Sequence, residues 1–153
     1  MSRQVVHWKF RSPVYNRRRM GVGRMGAYIW ALPTTALGLL FVAPALLSGG
    51  GVQRVDGVLE VYGGAAALFL RRATLLKGGA SAMTLGHVVL GRDRLALERT
   101  RRHERVHVRQ CERWGPLFLP AYLAASAVMW LRGRNPYRDN PFEREAFAQA
   151  REG

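Results

Sequence analysis

From Gly26 to Leu47 the chain reads GAYIWALPTTALGLLFVAPALL, 22 residues without a charge. Nothing else in the sequence limits the fold as much, because such a run must be covered by protein or by lipid. As one helix it rises about 33 Å, enough for a hydrocarbon layer of about 30 Å. Tyr28 and Trp30 stand near its N-terminal end, where interfacial aromatic residues belong. Residues 26–48 are therefore expected to form a transmembrane helix. Two other readings stay open. Pro33 and Pro44 suit a bent helix buried in the domain, and Ala43-Pro44-Ala45 has the small-residue look of a signal-peptide cleavage site.

Charge sets the expected orientation. Arg3, Lys9, Arg11, Arg17, Arg18, Arg19 and Arg24 make residues 1–25 a basic segment, and no acid occurs before Asp56. The positive-inside rule then puts the N-terminus in the cytoplasm and residues 49–153 on the extracytoplasmic side. The whole chain carries 24 Lys plus Arg against 10 acids, a net +14. That excess also suits a basic nucleic-acid-binding protein, but no motif of that class is present, and much of the charge flanks the apolar run. The single cysteine, Cys111, excludes an internal disulfide framework and a cysteine zinc cage. At 153 residues one domain is the expectation.

Beyond the Gly49–Gly51 break the elements alternate, which predicts an α+β fold. VQRVDGVLEVYGG reads as a β-hairpin around Asp56-Gly57. Residues 65–76 suit a short helix, and Met83 to Leu90 (MTLGHVVL) a single strand containing His87, read as structural. Asp93 can cap a helix that runs to about Trp114, where Gly115-Pro116 stops it. Pro116 to Leu131 is a second uncharged stretch of 16 residues, short for a span. NPYRDNPFEREAFAQA opens with turn residues and closes with a helix.

The helix after Asp93 carries RTRRHERVHVRQCERW. His103 and His107, four residues apart, lie about 40° apart around a helix and about 6 Å along it, so both imidazoles face one way. Two such rings can reach one Zn²⁺ at about 2.0–2.1 Å. Glu104 lies about 100° further round, beside the metal rather than on it, where it can exchange a proton with an attacking water. H-E-x-x-H is short and needs corroboration; the competing reading is a solvated basic helix. Cys111 lies too far along the helix to close the same tetrahedron and reads as a packed apolar residue.

A third ligand is offered by NPFEREA. H-E-x-x-H followed at a distance by E-x-x-A on a second helix resembles the gluzincin zinc peptidases, including the membrane-bound CAAX-prenyl-protease and heat-shock-protease type, and especially their minimal members. The resemblance spans about Met83 to Ala148. It implies a zincin-like helical pair, with Glu143 as third zinc ligand and Glu145 as the alternative, and an upstream edge strand along which substrate lies. Where these families carry an Asp four residues after the ligand glutamate, this chain has Phe147. Glu143 also has a local explanation: Asn140 can cap the helix, Pro141 suits its first position, and Glu143 completes a capping-box-like arrangement.

Ligands of one metal must share one side of a membrane. The zinc reading therefore requires that residues 116–131 do not cross, but pack in the domain or dip into the near leaflet. The function expected is zinc-dependent hydrolysis of peptide bonds by a small membrane-anchored metallopeptidase acting on a peptide or protein. The alternatives are a non-catalytic membrane protein that keeps the scaffold, and the nucleic-acid binder.

Overall fold

The computed structural model describes residues 22–74 and 78–152. Most of the basic segment, with His7, and Lys77 lie outside the described residues.

Local chemistry starts the sheet. Strands β1 (Gly51–Val55) and β2 (Val58–Tyr62) pair antiparallel around Asp56 and Gly57. Both turn residues have positive φ, 49° and 83°, as a two-residue primed turn requires. Helix α4 (Gly64–Arg72) follows. The stretch expected as one strand, Met83 to Leu90, is instead a second hairpin: β3 (Ala82–Leu85) and β4 (Val88–Gly91) pair across Gly86-His87. The reason lies at Gly86, whose φ of 64° turns the chain and whose missing side chain leaves room for the Thr35 backbone.

The strand order is β1-β2-β4-β3, with β2 and β4 parallel. Alternate residues of β4 serve opposite faces. Val88 and Leu90 join Ala45, Val61, Ala66 and Leu70 in one core cluster, while Val89 joins Val58, Leu97 and Val108 in the other. Burial on both faces explains why β4 reads as an unbroken apolar run.

Helix α5 (Arg94–Trp114) covers the second face. Asp93 caps it, accepting a 2.7 Å hydrogen bond from the Ala96 amide. Buried Glu60 on β2 anchors it, accepting from Arg101 Nε and an Arg101 terminal nitrogen at 2.9 and 3.0 Å. Past Gly115 a 3₁₀ turn (Gly115–Leu117) leads into α6 (Phe118–Leu131), and α7 (Pro141–Glu152) returns to pack against α5.

Residues 26–48 do not form a single helix. They lie within α1 (Val22–Trp30), α2 (Leu32–Leu39) and α3 (Val42–Leu47), of 9, 8 and 6 residues. Pro33 and Pro44 each fall in the first turn of a helix, where proline starts a helix rather than kinking one. Helix α2 packs on the β3–β4 hairpin at Gly38, where a Cβ would stand 2.5 Å from the Val88 Cβ. Among the described residues, the helical run that is long and apolar enough to cross a membrane, by length and composition, is Arg94–Leu131. Only Phe118 and Met129 of α6 are buried, and Trp130 and Leu131 are 69% and 75% exposed.

Candidate metal centre

Helix α5 places His103, Glu104 and His107 on its buried side, and α7 brings Glu143 against them. The two Nε2 atoms are 3.1 Å apart. Glu143 Oε2 lies 3.1 Å from His103 Nε2, and Oε1 lies 3.4 Å from His107 Nε2. These three ligand groups form one cluster that could hold a metal ion.

Ligand nitrogens and oxygens about 2.0–2.1 Å from a tetrahedral zinc stand about 3.3 Å from one another. The Nε2–Nε2 separation of 3.1 Å is close to that figure, and each Glu143 oxygen lies near one of the two rings. Glu143 Oε2 is buried and faces His103 Nε2. The donor set fits zinc.

Electrostatics point the same way. Burial alone would raise the Glu143 pKa, but the imidazoles of His103 and His107 beside it and the Tyr122 hydroxyl hold it down to about 2. Tyr122 on α6 donates its hydroxyl to Glu143 Oε1 at 2.6 Å. Burial would lower the His107 pKa, yet Glu143 and Glu104 raise it. The pocket therefore favours positive charge.

Glu143 does not close a capping box. The Asn140 amide donates to the Tyr137 carbonyl, and Asn140 Oδ1 caps α7 through the Phe142 amide at 2.9 Å. The cap thus needs only Asn140, and the Glu143 carboxylate turns to the histidines.

Glu104 is buried, and Thr84 on β3 donates its hydroxyl to Glu104 Oε2 at 2.7 Å. Burial raises the Glu104 pKa against the pull of His107 and Thr84. Glu145 stands outside the cluster, accepting from Arg113 at 2.8 Å and from Gln110 at 2.9 Å. Cys111 is fully buried. His87 lies in the β3–β4 turn, stacked on Tyr28 with centroids 4.0 Å apart and 3.0 Å from Glu112 Oε1, so it ties α1 and α5 to the hairpin.

The Phe147 ring lies against His103, with centroids 4.7 Å apart. His103 Nδ1 is buried and has no hydrogen-bond partner among the described residues. His107 differs: its Nδ1 lies 2.8 Å from Gln110 Oε1. Gln110, Thr84 and Tyr122 escaped the reading of the sequence. The available signal was Gln110 at the third position after His107, on the helix face that meets α7. A groove of about 420 Å³ lies elsewhere, between α1, α2 and the first hairpin. No family model, curated protein or solved structure matches the chain.

Proposed function

We propose that the chain is a small membrane-associated metallopeptidase of gluzincin type, with α5 and α7 as its zincin-like helical pair. The observation that supports this reading is the convergence of His103, His107 and Glu143 on one buried point. Zinc held by these three residues would supply the Lewis acid that polarises a peptide carbonyl. Glu104 is the general base. Thr84 occupies one of its oxygens, and the other accepts a proton from the attacking water. The water oxygen bonds to the carbonyl carbon, the C–N bond breaks, and the proton passes from Glu104 to the leaving nitrogen. Tyr122 and the Asn140 cap hold Glu143 in place.

A second reading, a zinc-holding scaffold without turnover, is favoured by Phe147, which leaves His103 Nδ1 without the acceptor that an Asp would supply.

A topology with the N-terminus cytoplasmic and residues 49–153 outside needs 26–48 to cross as one helix. We place α1–α3 and α6 in one leaflet instead. Helix α6 is strongly apolar and half of its residues are exposed, which calls for lipid on that side.

Metal analysis of the purified full chain is expected to find about one zinc per chain, absent from His107→Ala. Glu104→Gln is expected to keep the zinc and abolish cleavage of a quenched-fluorescence peptide library. Zinc in a parent that cleaves nothing supports the scaffold. A parent that binds no zinc overturns both readings.

A further inference from the structure

We infer that Gln110 is the positioning residue of the metal centre: it fixes the tautomer and ring orientation of His107. The inference rests on the zinc reading above.

Gln110 is fully buried, so its amide must satisfy both ends within the protein. Its Nε2 donates to the Phe142 carbonyl at 3.0 Å and to Glu145 Oε2 at 2.9 Å. Both partners can only accept: one is a backbone carbonyl, the other a carboxylate that also takes a hydrogen bond from Arg113. Reversing the amide would set an oxygen against two oxygens. The orientation is therefore decided, and Oε1 faces His107 Nδ1 at 2.8 Å.

An amide oxygen is only an acceptor, so the proton must sit on His107 Nδ1. In the neutral ring, Nε2 then carries a lone pair, and it is Nε2 that points at His103 and Glu143. A metal-bound histidine commonly donates its other N–H to such an acceptor, which fixes the ring and raises its basicity. Here the acceptor comes from the ligand helix itself, three residues beyond His107. It is braced by the first turn of α7, the turn that also carries Glu143. Formation of the α5–α7 contact thus aligns the second and third ligands together. The Gln110 amide takes, on His107, the part that Phe147 cannot take on His103.

The test measures zinc affinity of the full chain by chelator competition. Gln110→Ala should bind zinc about 10- to 100-fold more weakly than the parent. Gln110→Met, which keeps the length of the side chain and removes the acceptor, should show the same loss. Affinity equal to the parent's in either variant overturns the inference while leaving the zinc reading intact. A parent without zinc overturns the zinc reading itself. Because Gln110→Ala can simply fail to fold, the unmodified chain supplies an independent readout. With ¹⁵N-labelled histidine and bound zinc, His107 should show a protonated Nδ1 and a metal-ligated Nε2. Ligation through Nδ1 overturns the inference.

Discussion

Thr84 decides how Glu104 can work. A carboxylate free to rotate would share its proton between two oxygens, but Thr84 Oγ1 occupies Oε2 at 2.7 Å and also lies 3.3 Å from the Glu104 carbonyl. Thr84→Val keeps the shape and removes the hydroxyl, leaving a buried carboxylate oxygen unpaired. We expect its zinc content to match that of the parent and its turnover to fall about tenfold, measured on a peptide that the parent cleaves. Unchanged turnover would mean that backbone packing alone orients Glu104. At this scale the sequence showed the ligands and hid their supports. His103, Glu104 and His107 are legible because helical spacing alone places them. Thr84 lies 20 residues away on a strand, and the role of Gln110 depends on which turn of α7 packs against it.

Helix α5 is pinned where the metal chemistry needs it. Its N-cap and its stop at Gly115 were readable from local signals, as were the Asp56-Gly57 hairpin and the Asn140-Pro141 start of α7. The second hairpin and the three-helix N-terminal segment were not. A lone glycine in an apolar run can be a bulge or a turn, and a proline can kink one helix or begin another. Here the packing of α2 on Gly86 and Val88 decides both. The pin itself is Glu60, set among Arg101, Arg105 and Gln53, with Asp56 and Glu98 acting on Arg101. Burial would raise the Glu60 pKa, but hydrogen bonds from Arg101 and Gln53 and the charges of Arg101 and Arg105 lower it below 4.5. A depressed folded-state value means that the unfolded chain takes up the proton first. The stabilisation is then complete above the unfolded-state pKa and is lost as pH falls through the folded-state value. Denaturant titrations between pH 6 and about pH 3 should show stability falling on the acid side. The fall should be shallower in Glu60→Gln, which starts from lower stability at pH 6. Parallel curves for the two proteins would assign the acid loss to other carboxylates.

Among the described residues the molecule divides into a charged part that carries the candidate site and a part with many exposed apolar side chains. Arg99, Arg101, Arg102, Arg105, Arg109 and Arg113 belong to α5, and at about 2.5–3.5 kcal/mol each at a bilayer centre they keep that helix out of lipid. Arg94–Leu131 therefore meets the length and apolarity of a span only through its second part, and α6 has 14 residues, about 21 Å. Arg132, Arg134 and Arg138 follow it. The chain must then return, because Asn140 bonds the Tyr122 carbonyl and Ser126 on α6 at 3.1 and 2.8 Å. Tyr122 in turn holds Glu143. On the proposed reading, a helix whose first turns belong to the metal centre, and whose far end is followed by arginines, dips into one leaflet and does not cross. Leu40, Leu47, Trp130 and Leu131, each at least 69% exposed, are the apolar side chains that the proposed seating puts into lipid. The proposed seating of α1–α3 and α6 in one leaflet expects residues 2 and 98 on the same side of the membrane. Cysteines introduced one at a time, Ser2→Cys and Glu98→Cys, should both react with a membrane-impermeant maleimide from one face of the membrane and both be protected from the other. The native Cys111 does not interfere: burial holds its thiol up to about 12, so it stays unlabelled in the folded chain. Labelling from opposite faces would restore a crossing by residues 26–48. Release of the protein by high salt alone would show that charge, rather than the apolar face, holds it to the bilayer.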